Sequence, residues 1–196
     1  MADPPRILLA SASPRRAALL EALRLPIEVR PTRVDETATG PPEAQVVELA
    51  RRKAAAVLEP GPGWVLAADT LVDRDGVALG QPAGAEEARR MLASLAGRVH
   101  RVHTGVAVRR LPDGPIRSGI ESASVAFRPR SADAVAAYVA TGEPLGKAGA
   151  YALQGAAAAW VERLEGDPWT VIGLPARLTL RLLAEAGYPL PAHLAP

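Results

Sequence analysis

The sequence predicts a mixed α/β fold on two observations: strand-like and helix-like segments alternate along the chain, and hairpin signals interrupt that alternation. Arg74-Asp75-Gly76 separates two short apolar runs, and Pro112-Asp113-Gly114-Pro115 separates two long ones. Because such turns join antiparallel neighbours, the sheet is predicted to be mixed rather than purely parallel. The 196 residues fit one domain, 1–196, and 48% hydrophobic residues are enough to bury a core.

The first half of the chain is predicted to contain short strands and three helices. Ser13 is expected to cap the first helix, with Pro14 at its first position, and Pro41-Pro42 to open the second. The third helix is expected over 85–96, where Gly97 stops it. Pro60-Gly61-Pro62-Gly63 marks a break. The predicted strands are 6–10, 27–30 and 64–68, the last ending at Asp69, followed by the hairpin arms 71–73 and 77–79.

The second half is predicted to contain two long strands and a glycine-rich loop. The strands cover 99–111 and 116–127, and the period-two apolar positions of the first share one face. Ser131 is expected to cap a helix that ends before Gly142. The remaining predictions are a loop over 142–155, a strand over 157–164, a turn at 166–168 and a last helix from Pro175 to before Gly187.

Composition excludes several classes of function. The chain has no cysteine, which removes disulfides, thiolate metal sites and cysteine nucleophiles. The 23 basic and 21 acidic residues nearly cancel, which argues against a nucleic-acid binder that works through bulk charge. No apolar run approaches the length of a membrane span, and the N-terminus lacks a leader pattern, so a cytoplasmic protein without membrane contact is expected.

The basic residues are strongly biased in type. Only Lys53 and Lys147 are lysine, so 21 of the 23 basic residues are arginine. A position that keeps lysine in such a chain is a candidate for chemistry that needs a compact, mobile ammonium rather than a planar guanidinium. For two residues alone, chance remains an equal alternative.

The segment Ser11-Ala12-Ser13-Pro14-Arg15-Arg16 follows a predicted strand and begins a helix. A helix N-terminus carries unpaired N–H groups and partial positive charge, which suits a phosphate. The alternative is that Ser13 is only an N-cap and the two arginines are solvated. That alternative leaves two cations in the first turn, where the helix dipole disfavours them and a bound anion would offset the repulsion.

Carboxylates follow two of the predicted strands. Asp69 is expected at the carboxyl end of its strand, where ligands of α/β sheets often bind, and Asp35-Glu36 follows the second strand. A carboxylate there can hold a divalent ion on a triphosphate or take a proton from water. For Asp35-Glu36 a polar loop, and for Asp69 an Asp-Thr turn, stay open as alternatives.

Other catalytic patterns are not supported. Gly142-Glu143-Pro144-Leu145-Gly146-Lys147-Ala148 has the wrong spacing for a P-loop and lacks Ser or Thr after the lysine. His100 and His103 lie three apart on a strand, hence on opposite faces, and cannot chelate one metal. No role is predicted for any of the three histidines. A serine-hydrolase elbow is absent.

The ordered set of segments resembles the Maf family over roughly residues 6–187. The matching segments, in chain order, are 11–16, 35–36, 49–54, Ala68-Asp69-Thr70, 142–144, Lys147-Ala148-Gly149-Ala150-Tyr151-Ala152-Leu153-Gln154-Gly155 and Val171-Ile172-Gly173-Leu174-Pro175. The resemblance implies a mixed twisted sheet in two lobes flanking a central cleft, related to the inosine-triphosphate pyrophosphatases. It also implies a cytoplasmic homodimer that hydrolyses a nucleoside triphosphate to the monophosphate and pyrophosphate with Mg²⁺ or Mn²⁺.

The resemblance also implies roles for individual residues. Asp69 would be the catalytic carboxylate, and Asp69 and Glu36 would hold the metal. The other positions that would line the substrate site are Ser11, Ser13, Arg15, Arg16, Glu36, Lys53, Thr70, Gln81, Lys147 and Gln154. Residues 147–155 resemble the branch acting on dTTP and UTP, in which the positions of Arg15, Thr70 and Gln154 bear on specificity. A carboxamide such as Gln154 offers a donor and an acceptor to a pyrimidine edge.

Two departures from the family pattern keep alternatives open. Gln81 stands where the family commonly has lysine, which removes one charged hydrogen bond and predicts a slower or weaker-binding enzyme. Gly146 replaces a common aspartate before Lys147, which puts the ordering of that loop in question. The alternatives are a 7-methyl-GTP pyrophosphatase of the same family, or a non-catalytic nucleotide sensor that regulates cell division.

Overall fold

The protein folds around a seven-stranded mixed sheet with helices on both faces. The structure, a computed structural model, describes residues 5–59, 61 and 63–195. The strands are β1 (Ile7–Leu9), β2 (Ile27–Val29), β3 (Gly63–Arg74), β4 (Val77–Leu79), β5 (Val99–Leu111), β6 (Arg117–Phe127) and β7 (Val161–Glu165). The order is β2-β1-β3-β5-β6-β7, with β4 also paired to β3. β1 is parallel to β2 and β3 and the other pairs are antiparallel, which confirms the predicted mixed α/β class.

Six α-helices connect or flank these strands in the described ranges. They are α1 (Pro14–Ala22), α2 (Pro42–Ala55), α3 (Ala85–Leu95), α4 (Ala132–Ala140), α5 (Pro168–Ile172) and α6 (Ala176–Glu185). Short 3₁₀ turns cover Ala148–Ala150, Ala156–Trp160 and Ala192–Leu194. None of the helices that the structure describes is long and apolar enough to cross a bilayer.

The predicted hairpin after β3 is present, and its turn has the backbone conformation that an Asp-Gly pair favours. Asp75 and Gly76 have φ values of 54° and 85°, so both central residues of the two-residue loop are left-handed. That is the geometry of the turn that matches the twist of a tight hairpin, and it explains the Asp-Gly pair. The turn directs β4 back along β3, where Val72 pairs with Leu79.

Two apolar clusters divide the molecule into lobes. One joins α1 and α6 to the first part of β3, through residues such as Leu20, Leu66 and Leu183. The other joins α3 and α4 to the far part of β3 and to β5, around Leu92 and Phe127. α2 covers the opposite face of β3 with small residues, so this helix lies close to the sheet.

Three sequence predictions are wrong in detail. The segment over 157–164 is not one strand, because Ala156–Trp160 forms a 3₁₀ turn and β7 begins at Val161. The turn at 166–168 is instead the start of α5, and the Asp167 carboxylate caps it by accepting from the Trp169 N–H at 2.9 Å. Ser13 does occupy the N-cap position of α1, but its side chain makes no capping bond. The predicted break at 60–63 falls partly outside the described residues, since 60 and 62 are not described.

Candidate active site

A cleft of about 310 Å³ lies between the two lobes. This volume is at the small end of the range of roughly 300–1,000 Å³ found for small-ligand sites. The cleft is lined by all eleven residues that the sequence marked: Ser11, Ser13, Arg15, Arg16, Glu36, Lys53, Asp69, Thr70, Gln81, Lys147 and Gln154. Segments separated by more than one hundred residues in the sequence therefore meet in one cavity.

The cleft opens where one edge of β3 lacks a neighbouring strand. β5 pairs with the whole of one edge, whereas on the other edge β1 pairs only with residues 64–66 and β4 only with 72–74. In the described part of the chain, no strand pairs with residues 67–71 on that edge. The prediction that the strand ends at Asp69 is therefore wrong. It is β1 that ends at Leu9, and the gap left beyond it exposes Asp69 and Thr70 to the cleft.

Asp69 forms the centre of a buried charged group. Lys53 Nζ lies 2.6 Å from Asp69 Oδ1 and 2.8 Å from Glu36 Oε1. The side chains of Lys53 and Asp69 are 11% and 12% exposed, whereas that of Glu36 is 62% exposed. Burial raises the pKa of Asp69, and the neighbouring Lys53 and Arg16 cations partly oppose that rise. The carboxylate is thus basic for an aspartate while a fixed cation still favours its ionised form.

The close approach of α2 to the sheet makes this pairing possible. Gly105 of β5 lies directly opposite Asp69 of β3. A Cβ on Gly105 would come within 2.3 Å of the Val46 carbonyl oxygen on α2, so only glycine allows the helix to pack at this distance. Gly105 therefore brings the Lys53 ammonium within reach of Asp69, although it does not itself line the cleft.

The segment from Ser11 to Arg16 forms the first wall of the cleft. The Arg16 guanidinium donates to Ser11 Oγ at 3.0 Å, to Thr70 Oγ1 at 3.1 Å and to the Gly173 carbonyl at 2.8 Å. Thr70 in turn shares a 2.9 Å hydrogen bond with Thr104, whose hydroxyl donates to the Thr170 carbonyl. These bonds fix the guanidinium plane, and burial lowers the pKa of Arg16 without discharging it.

Arg15 differs from its neighbour because its guanidinium has no hydrogen-bond or ion-pair partner among the residues that the structure describes. The Arg15 and Arg16 backbone N–H groups lie in the first turn of α1, where no intrahelical acceptor is available. Arg15 also lies close enough to Lys147 to lower the pKa of that lysine, although burial is the larger cause. Two like charges facing one cavity are stabilised by an anion between them.

The second wall is the loop from Gly142 to Gly155. Lys147 Nζ donates to the Glu143 carbonyl of the same loop. The Glu143 carboxylate accepts from the Tyr138 hydroxyl at 2.8 Å and from the Ala156 N–H at 3.1 Å, which ties the two ends of the loop together. A Cβ on Gly155 would lie 2.0 Å from Glu143 Oε1, so this closure requires glycine. The closed loop presents Lys147 and Gln154 to the cleft.

Gln81 reaches the cleft because its segment is bonded to the second wall. The Gly149 N–H donates to the Gly80 carbonyl at 3.0 Å. Gly149 has a φ of 64°, and a Cβ there would come within 2.6 Å of the Val72 side chain. The loop therefore packs directly on β3 and carries the segment containing Gln81 beside it.

Some residues that build the site were not predicted from the sequence. Thr104 and Glu143 position the predicted residues through hydrogen bonds, and Gly105 does so through close packing. Thr32 lines the cleft, and its buried hydroxyl has no partner within the described residues. The sequence signal for Gly105 is a glycine inside a strand, but that signal does not say which neighbour the glycine accommodates.

Asp69 and Glu36 are suitable ligands for a divalent cation. Both bind the same Lys53 Nζ through one oxygen, which leaves the second oxygen of each carboxylate available. Mg²⁺ in phosphate sites takes one or two carboxylates and completes its shell with water and phosphate oxygens. Asp69 and Glu36 therefore provide the number and type of ligands that a Mg²⁺ ion bound to a phosphate needs.

The fold and the cleft together define a class: an α/β protein whose electropositive, interlobe site contains a buried carboxylate. Comparison with known proteins makes this more specific. The model of the family described as Maf-like protein matches residues 6–186. The chain therefore belongs to the Maf family.

Several relatives are similar over nearly their whole length. The chain is 48% identical to the dTTP/UTP pyrophosphatase of Anaeromyxobacter sp. strain Fw109-5, covering 95% of this chain and 92% of that protein. It is 48% identical to the protein of the same name from Moorella thermoacetica, covering 93% and 95% of the two chains. It is 47% identical to that of Thermus thermophilus, covering 94% and 96%.

One solved structure has a partial likeness to this fold. The Staphylococcus aureus Ham1 protein matches with a TM-score of 0.45 and 16% identity, over 62% of this chain and 71% of that one. A likeness this weak carries no conclusion about the site.

Proposed function

We propose that this protein is a nucleoside triphosphate pyrophosphatase that hydrolyses dTTP and UTP to the monophosphate and pyrophosphate. The observation that carries the proposal is the convergence of four cations and two carboxylates on one cleft. The names of the relatives support the reaction and the pyrimidine substrates. The near-complete coverage means that the similarity includes every segment of the cleft.

The phosphates bind along the first wall and under Lys147. Arg15, Lys147 and the first-turn N–H groups of α1 have donors available for phosphate oxygens, whereas Arg16 has committed three donors to the protein. Guanidinium groups bind phosphate bidentately, and the helix N-terminus adds further N–H donors. Arg16 therefore supplies a fixed positive charge, while Arg15 and Lys147 can adjust their positions to bind the substrate phosphates.

Asp69 acts at the α-phosphorus. A water molecule attacks that atom, the bond to the bridging oxygen breaks and pyrophosphate leaves, so that NTP and water give NMP and pyrophosphate. The raised pKa of Asp69 suits a group that accepts the proton of the water. Lys53, fixed 2.6 Å from Asp69, stabilises the negative charge that builds on the phosphorane oxygens.

Asp69 and Glu36 are also the proposed ligands of Mg²⁺ or Mn²⁺. A divalent ion bound there would polarise the phosphate and lower the pKa of a coordinated water. Asp69 has an oxygen for either role, since Oδ1 engages Lys53 and Oδ2 remains available to a metal ion or a water molecule.

Substrate selection is proposed to depend on Gln154, with Arg15 and Thr70. The Gln154 carboxamide can pair with the carbonyl and N–H edge shared by thymine and uracil. Thr70 is bonded to Arg16 and Thr104, so it acts by holding the cleft wall in place. The family resemblance further supports a cytoplasmic homodimer. The chain length supports a single domain over 1–196, and the balanced charge and short apolar runs support the absence of a nucleic-acid or membrane partner.

The test is a substrate panel at fixed Mg²⁺ with pyrophosphate as the measured product. We expect release from dTTP and UTP by the wild-type chain and by the exposed control Asp113→Asn. Asp69→Asn should lose about 10³-fold in kcat, because it removes the basic carboxylate. Its fold is checked by circular dichroism.

Three outcomes would contradict the proposal. Turnover of 7-methyl-GTP alone would reject the pyrimidine assignment. Nucleotide binding without product would favour a sensor, for which Gln81 in place of lysine is the supporting residue. Near-normal turnover by Asp69→Asn would reject the role of that carboxylate.

A further inference from the structure

A second group of metal-binding side chains lies outside the cleft. One ligand atom each from Glu43, Asp73 and His103 lies within 4.8 Å of the other two. None of these residues lines the cleft. Asp73 lies on β3 four residues beyond Asp69, which places its Cα about 13 Å further along the strand. The two carboxylates therefore belong to separate sites on the same face of the sheet.

His103 is held in an orientation that suits metal ligation. The residue is 4% exposed, and its Nδ1 lies 2.7 Å from Ser122 Oγ on the adjacent strand β6. Its Nε2 lies 3.3 Å from Asp73 Oδ2. Metal-binding histidines commonly engage an outer hydrogen-bond partner through one ring nitrogen, which fixes the ring and directs the other nitrogen to the ion.

The carboxylates are similarly constrained. Asp73 Oδ1 accepts from the Gly76 N–H at 2.6 Å, which ties the aspartate to the β3–β4 hairpin and leaves Oδ2 facing His103. Glu43, in the first turn of α2, is exposed and has no ion-pair partner among the described residues. Arg101 pairs across the strands with Asp73, but no salt bridge forms between them in the described structure.

The separation of the His103 and Asp73 ligand atoms matches that of two ligands bound to the same ion. Two ligands of a tetrahedral zinc ion at about 2.0–2.1 Å are about 3.3 Å apart. This is the observed separation of His103 Nε2 and Asp73 Oδ2. An imidazole nitrogen with two carboxylates favours a first-row transition ion over Mg²⁺ or Ca²⁺, which take oxygen ligands almost exclusively.

We propose that Glu43, Asp73 and His103 bind one divalent transition-metal ion, with zinc as the ion that the donor set favours. The three ligands come from α2, β3 and β5, so the ion would join the first turn of α2 to the sheet. The same helix carries Lys53 at its other end. The site would therefore stabilise the helix that positions the cleft lysine without taking part in hydrolysis.

The test is a Zn²⁺ titration of the metal-free, full-length Asp69→Asn protein, in which the cleft keeps only one of its two carboxylates and competes less for the ion. We expect one equivalent to bind by calorimetry. At free zinc one hundred times the dissociation constant, we expect the melting temperature to rise by about 5–10 °C. His103→Gln should weaken zinc binding at least about 100-fold and abolish the thermal shift.

Matched controls separate this site from others. His193→Gln, which removes an exposed histidine near the C-terminus, should bind zinc like its parent. If His103→Gln does not fold, the exposed Glu43→Gln should still lower zinc affinity at least about tenfold. No binding by the Asp69→Asn parent, or unchanged binding by the folded His103→Gln and Glu43→Gln variants, would overturn the proposal.

Discussion

The two lysines of the cleft are held in different ways. Lys53 lies on a helix, is 8% exposed, and is fixed between Asp69 and Glu36. Lys147 lies on a loop, is partly buried, and among the described residues donates only to carbonyls of that loop. A cation that is already paired with carboxylates has a fixed position, from which it can stabilise charge in the transition state. A cation without a carboxylate partner keeps its charge available to bind an incoming anion. The difference predicts that the lysines affect different kinetic steps.

Replacing each lysine by methionine gives the largest expected effects. Lys53→Met should lower kcat by about 10²–10³-fold, as expected when a fixed charge near the transition state is lost. Lys147→Met should mainly raise KM, by about tenfold, because one charged hydrogen bond to a phosphate is lost. Steady-state kinetics with dTTP measures both, and circular dichroism checks the fold of each variant.

The pH dependence of activity should also distinguish the two lysine variants. The Lys53 cation lowers the pKa of Asp69, so its removal should raise that pKa further. If Asp69 must be ionised, activity is lost as pH falls through its pKa, and the acidic limb should move to higher pH in Lys53→Met only. Equal shifts of the acidic limb in Lys53→Met and Lys147→Met, or equal losses of kcat, would show that the two lysines do not have distinct functions.

Two glycines, one packed under the Lys53 helix and one at the end of the second wall, allow the same substitution to be compared. Gly105→Ala places a methyl group 2.3 Å from a backbone carbonyl of α2, so it should destabilise the fold by about 1–3 kcal/mol. Gly155→Ala places one 2.0 Å from the Glu143 carboxylate, which can move at the cost of its loop-closing bonds. We expect Gly155→Ala to change stability by less than about 1 kcal/mol and to raise KM about tenfold. Urea unfolding and kinetics give the two readouts.

Gly84→Ala is the control for both glycines. Its φ is −178°, and a Cβ there would meet no atom within 4 Å. The control should leave KM unchanged and alter stability by less than about 1 kcal/mol. A Gly155→Ala protein with wild-type KM would show that the Glu143 closure does not position Lys147 and Gln154.

All eleven residues that the sequence marked line the cleft, and for some of them the signal is local. Ser11 to Arg16 form a strand–helix junction, and junctions of this kind are readable from residue order and helix-start preferences. The two rare lysines both line the cleft, as the composition suggested. The roles assigned to these residues remain predictions, since position in a cavity does not measure turnover.

What the sequence could not provide is information on strand pairing. Asp69 lies inside a twelve-residue strand, and its exposure depends on β1 ending early on the neighbouring edge. The Val46 carbonyl that packs on Gly105 and the Thr170 carbonyl that accepts from Thr104 both belong to segments more than fifty residues away. The strand predicted over 157–164 failed for a similar reason, because alanines suit a 3₁₀ turn as well as a strand.

A buried histidine anchors the second wall of the cleft. His100 on β5 is buried, and its Nε2 lies 3.0 Å from the hydroxyl of Tyr151, at the end of the segment that carries Lys147. Burial lowers the pKa of His100 to about 4. Between this value and the ordinary histidine pKa of about 6.5, the unfolded chain binds a proton that the folded chain does not, so folding stability falls as pH falls.

Replacing His100 by glutamine removes that proton uptake. The wild-type protein should lose about 2 kcal/mol more folding free energy than His100→Gln between about pH 7 and pH 4.5. Urea unfolding at the two pH values measures the difference, and other titrating groups cancel because they are common to both proteins. If the two proteins lose equal stability, His100 does not stay neutral in the fold. The second wall would then lack an acid-sensitive attachment. It would also lack the contrast with Asp69 on β3, whose raised pKa favours protonation in the folded state and so opposes acid destabilisation.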